Sequence, residues 1–87
     1  MPGIARDKGK DHAGGQAIKG SPDVYANNKP VVRVHDNIDG HGSGPHQGPV
    51  MITGSSNVYV NNKKVCRAKD QAACGHQITG SNDVIVN

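Results

Sequence analysis

The chain has 87 residues, a formal charge of +3, two tyrosines, and neither phenylalanine nor tryptophan. That length suits one domain over residues 1–87 with no extension, built on a thin core of Val, Ile and Ala. At this size burial alone rarely offsets a chain entropy of about 1–2 kcal/mol per residue, so a metal, a disulfide or a partner is the expected staple. Lys and Arg are spread rather than clustered, which favours a solvated surface over a nucleic-acid patch. No apolar run is long enough to cross a membrane and no signal peptide opens the chain, so two cysteines do not read as a disulfide framework. Disorder, the other reading of high glycine content, is disfavoured because the apolar residues recur in a pattern.

In chain order, the first phrase is "GIAR" at Gly3 to Arg6, and "DHAGG" follows from Asp11. From Ile18 the chain reads "IKGSPDVYANNKPVVRVHD"; after a loop carrying "GHGSGPHQG" from Gly40, it reads "ITGSSNVYVNNKKVCRAKD" from Ile52. These two stretches match in register without a gap, the mark of an internal repeat. A short loop with "ACGHQ" leads to "ITGSNDVIVN" from Ile78, which stops halfway through the pattern. "GIAR" corresponds to "PVVR" at Pro30 and "KVCR" at Lys64, and so supplies the missing half. The chain is a circular permutation of three equal units.

Each unit reads as a β-hairpin. Period-two alternation sends Val24 and Ala26 to one face, as it does Val58 with Val60 and Val84 with Val86. Asn27-Asn28 and Asn61-Asn62 supply the turns, because Asn tolerates the positive φ that tight hairpins need. Ile4, Val31 and Val65 fall at equivalent positions on the returning strand, with Arg6, Arg33 and Arg67 two residues on. The Gly-Ser pairs at 20–21, 54–55 and 80–81 mark the entry to each hairpin. No stretch has a useful helical period. The predicted fold is all-β, three hairpins around a pseudo-threefold axis.

The connecting loops hold the metal-capable side chains. His12 and His46 each stand six residues before their Ile, Cys74 stands four before Ile78, and His41 lies in the longer loop of the second unit. Threefold closure would bring His12, His41, His46 and Cys74 to one end of the axis. Three imidazoles and a thiolate form a closed tetrahedral set, the usual structural Zn²⁺ site, and this donor mix disfavours Ca²⁺ and Mg²⁺. Iron is the other occupant to consider. His76 competes as a ligand and ranks fifth. His35 aligns with Lys69 and reads as a surface residue. Cys66 aligns with Val32 and Ala5 and reads as a small core residue.

These phrases resemble those of the PAAR domain family, named for a Pro-Ala-Ala-Arg phrase that appears here as "PVVR", "KVCR" and "GIAR". The "GS-x-x-V-x-x-N" phrase is closer to the family pattern, and "HAGG" stands where members commonly carry "HGG". The resemblance spans essentially the whole chain. It implies a small conical β-fold with a zinc near its vertex, held by three His and one Cys. It also implies a spike-tip protein of a type VI secretion system or a phage-like contractile tail. Such a tip caps a trimeric β-helical spike, one tip per trimer, and meets the target membrane during injection. It would be made in the cytoplasm and delivered outward, with any effector on a separate chain.

Two other functions are weaker. A zinc hydrolase needs an open coordination position and a nearby acid or base, and four protein ligands leave no such position. A zinc-stapled nucleic-acid binder would lack both aromatics for stacking and a helix for a groove. The expectation is a structural protein with no enzymatic activity and no nucleic-acid partner.

Overall fold

The computed structural model describes residues 2–7 and 11–87. The strands are short and antiparallel: β1 (His12–Ala13) with β2 (Gly15–Gln16), β3 (Tyr25–Ala26) with β4 (Lys29–Pro30), and β5 (Tyr59–Val60) with β6 (Lys63–Lys64). Among the described residues there is no α-helix, only one 3₁₀ turn at Gly44–His46, and no helix long and apolar enough to cross a membrane.

The hairpins form as their sequence dictates. Tyr25 pairs with Pro30 and Tyr59 with Lys64, leaving two-residue turns in which Asn27, Asn28, Asn61 and Asn62 all have φ between 52° and 64°. Positive φ at both central residues gives the turn twist that matches paired strands. At each hairpin entry a serine hydroxyl accepts from two backbone N–H groups. Ser21 serves Asp23 and Val24, Ser55 serves Asn57 and Val58, and Ser81 serves Asp83 and Val84.

The third hairpin is completed by the N-terminus. Gly3 bridges to Ile85 as Pro30 does to Tyr25 and Lys64 to Tyr59. The returning strands then close on one another through the bridges Arg6–Val31, Arg33–Val65 and Arg67–Ile4. At the centre, Ala5 N–H donates to the Cys66 carbonyl, Cys66 to Val32 and Val32 to Ala5, at 2.9–3.0 Å. This closed ring of backbone bonds leaves no strand edge between the units. The overall extents, 32 × 23 × 23 Å, have two equal short axes, as a threefold arrangement requires.

Two apolar clusters fill the interior. One holds Ile4, Ala26, Val31 and Val65, with Val58, Val60, Val84 and Val86 packed against it. The other holds Ala5, Val32 and Cys66 together with Ala13, Ala17, Ile38, Met51, Ala72 and Ile78 from the loop ends. Cys66 is thus a buried core residue, as its alignment with Val32 and Ala5 predicts. The three isoleucines before Gly-Ser are not equivalent: Ile78 is 2% exposed, whereas Ile18 and Ile52 are about half exposed. Met51 and Ala17 take the inward place in the first two units, with Met51 N–H on the Asp36 carbonyl, Ala17 on Asp11 and Ile78 on Asp70. The third unit is one residue shorter there, and a one-residue slip exchanges the faces of a strand.

The arginine after each core strand position pairs with an aspartate, and Arg6, Arg33 and all three aspartates are buried while Arg67 is partly exposed. Arg6 pairs with Asp11, Arg33 with Asp36 and Arg67 with Asp70, at 2.8–2.9 Å. Each aspartate also accepts from its arginine's own backbone N–H. A buried guanidinium and carboxylate are tolerated only when paired and hydrogen-bonded in this way.

Candidate metal centre

Four donor side chains converge at the loop end: His41, His46, Cys74 and His76, with ligand atoms all within 4.8 Å of one another. His41 Nε2 lies 3.0 Å from His76 Nδ1, 3.2 Å from His46 Nδ1 and 3.5 Å from Cys74 Sγ, and Cys74 Sγ lies 3.4 Å from His76 Nδ1. Tetrahedral zinc with Zn–N near 2.0–2.1 Å and Zn–S near 2.3 Å has donor–donor edges of about 3.3–3.6 Å. These four edges, 3.0–3.5 Å, fall close to that range. The three imidazole rings stand 4.9–5.1 Å apart between centroids and are tilted by 47–58°, arranged around a point rather than stacked. The donor set fits a metal ion.

Local structure fixes each donor. The long second loop supplies two of them. His41 N–H donates to the His46 carbonyl at 2.8 Å, and the 3₁₀ turn at Gly44–His46 carries the second imidazole back to the first. His41 Nδ1 lies 2.9 Å from the Asp39 carbonyl. With its proton on Nδ1 the ring presents an Nε2 lone pair to the centre, the usual way an outer partner orients a ligating histidine. In the third loop, Gly75 has φ of 93° between Cys74 and His76. Ala72 N–H bonds to the His76 carbonyl and Gly75 N–H to Ala72. The tight turn brings thiol and imidazole to the same side.

Placing His12 among the ligands is corrected by this geometry. His12 lies on β1, directly after Asp11, and alternation there turns Ala13 into the core and His12 outward. Its backbone occupies the place that Asn37 and Gln71 hold in the other loops. His76 takes the fourth position instead. The signal lay in counting forward from the aspartates rather than back from the isoleucines: Cys74, His41 and His76 come four to six residues after theirs, His12 only one. The sequence predicts that all three loops donate, whereas the four converging side chains come from the second and third loops alone.

The first loop contributes bare backbone. Gly14 has φ of +80°, and a Cβ there would lie 2.6 Å from His41 Nε2 and against the His76 ring. A Cβ on Gly15 would meet the Asp39 carbonyl and lie 2.8 Å from His41 Nδ1. The Gly14-Gly15 pair of "HAGG" is therefore a wall with no side chains against which the imidazoles rest. His35 is exposed with φ of 79°, and Lys69, its counterpart, has φ of 76°.

No curated protein matches the chain. The family model for the PAAR motif matches residues 8–80, which include all four converging donors, the glycine wall and the Gly-Ser entries at 20–21 and 54–55. The match covers most of the sequence and the repeat geometry runs through it, so the chain belongs to the PAAR-motif family.

Proposed function

We propose that this protein is a metal-clamped tip that caps and sharpens a trimeric β-helical spike, one tip to a trimer. PAAR-motif membership implies a structural role of the spike-tip type in contractile injection systems. The observation that carries the finer reading is the closure of three units into one ring by the N-terminal strand. A single chain with threefold backbone symmetry can sit on a threefold trimer without mismatch.

The hairpin end offers the docking face. Val24 is 38% exposed, and Val58, Val60, Val84 and Val86 are only partly covered by the inner cluster. A spike's terminal apolar surface would bury them. At the other end His41 Nε2, His46 Nδ1, Cys74 Sγ and His76 Nδ1 would hold the ion. The mix of thiolate and imidazole favours Zn²⁺, with iron the other candidate. Four protein donors complete a tetrahedron and leave no position for substrate, so the ion's work is to clamp two loops into a rigid point. In this reading the tip leaves the cell on its spike and meets the target membrane first.

Mixing the purified protein with a spike trimer from the same genome and weighing the complex by native mass spectrometry tests this. The expected mass is one tip, carrying one zinc, per trimer, in a complex that survives about 1 M salt, where charges act over only about 3 Å. Three tips per trimer, or dissociation in moderate salt, would overturn it.

A further inference from the structure

The outer faces of the hairpins keep large apolar side chains in solvent: Tyr25, Tyr59 and Ile85 are 46–57% exposed. Alternation explains their direction, since Val58 and Val60 turn inward on either side of Tyr59. At the second unit this exposure is part of a concavity. A groove of about 310 Å³ is lined by Tyr59, Ile52, Val34, His35, Lys63 and Lys64, among others, and no carboxylate lines it. Neither lysine ammonium has an ion-pair partner among the described residues.

The repeat breaks its own symmetry here. The first unit has Pro30 in place of Lys64 and the buried Asp7 in place of Val34. The third has Ile85 in place of Tyr59 and Gly3 in place of Lys64. The core and hairpin turns do not require Tyr59 and Lys64, because both are exposed.

We propose that this flank groove binds an extended segment of a separate protein chain, with an apolar side chain seated against Tyr59 and Ile52 and carboxylates reaching Lys63 and Lys64. Charge complementarity selects the acidic segment. An exposed tyrosine beside an aliphatic wall is the kind of anchor that dominates small interfaces. A concave groove accepts side chains, whereas a bilayer surface presents no ridge to fill it. One such segment binds in this groove, on a face separate from the valine-rich end.

Amide shifts of the ¹⁵N-labelled, metal-loaded protein test this, using a short acetylated peptide that alternates glutamate with leucine and phenylalanine. The expected result is saturable shifts at Ile52, Tyr59, Lys63 and Lys64, with Ile18 and Tyr25 still. Tyr59→Ser, and Lys63→Glu with Lys64→Glu, should each weaken binding by at least about tenfold, while Tyr25→Ser leaves it unchanged. Spectra of the free variants, unaltered elsewhere, show that they fold. Equal binding of the same peptide with lysine for glutamate, equal shifts at Ile18 and Tyr25, no shift at millimolar peptide, or tighter binding to phosphatidylglycerol vesicles than to peptide would each overturn the proposal.

Discussion

Gly14 shows how a residue without a side chain can serve a metal centre. Its φ of +80° and its closeness to His41 and His76 exclude any Cβ, so Gly14→Ala must displace two of the four donors. Supporting positions of this kind typically change metal affinity by about 10–100-fold. Gly14→Ala should lose zinc to a competing chelator at least about tenfold more readily than the parent. His12→Ala, at an exposed position outside the cluster, should keep one zinc per chain and the parent's affinity. A loss of zinc in His12→Ala matching that in Gly14→Ala would overturn this ligand set. The two cysteines differ as sharply. Burial pushes the Cys66 thiol up, with the Asp70 and Asp36 carboxylates adding to the effect. Cys66 is therefore a packing residue, while Cys74 stands at the donor cluster.

The recurring element is the strand end with its arginine and aspartate. Burial of Asp70 favours protonation, but hydrogen bonds from Arg67 and from the Thr53 hydroxyl outweigh it and hold the carboxyl below its ordinary value. A folded-state value below the unfolded one stabilises the fold above the ordinary carboxylate range. That contribution is lost as pH falls through the lowered value. Asp70→Asn should therefore be less stable than the parent at pH 7, with the gap narrowing as pH drops below about 4. Denaturant midpoints of both proteins across that window check this. Acid release of metal is common to both and leaves the difference intact. A gap independent of pH would mean that Asp70 acts through shape alone. Asp36→Ala should cost more than Asp70→Ala, about 3–5 kcal/mol for breaking a buried pair. The Arg33 side chain is 6% exposed and that of Arg67 26%.

At the scale of the molecule, stability depends on closing the ring with the N-terminal strand. Residues 2–5 provide the Gly3–Ile85 bridge, the core side chain Ile4 and two of the three central backbone bonds, through the Ala5 N–H and carbonyl. Single domains hold only about 5–15 kcal/mol in all, and this one has a small core. Deleting residues 2–5 should abolish cooperative unfolding even with zinc present, read by thermal melts and amide-shift dispersion. Deleting the exposed Asn87 should leave both nearly unchanged. Cooperative melting of the shortened chain near the parent's midpoint would show that two hairpins and the metal suffice.

Local chemistry made the hairpins legible. Asn-Asn turns, Val alternation and Gly-Ser entries each act within a few residues, and the matching stretches from Ile18 and Ile52, with "GIAR" as the missing half, determined that three units close. His41, His46 and Cys74 were readable for a similar reason, because soft and imidazole donors crowd the loops. Four features were decided only in three dimensions. Whether His12 or His76 completes the donor set depends on which side of β1 faces the axis, and a strand's facing is set by its partners across the ring. The burial of Ile78 and the exposure of Ile52, at the same distance from Gly-Ser, turn on a one-residue difference in backbone register. The arginine–aspartate pairs and the glycine wall depend on contacts that spacing alone does not encode, since a side chain's value there lies in what it touches, or in its absence.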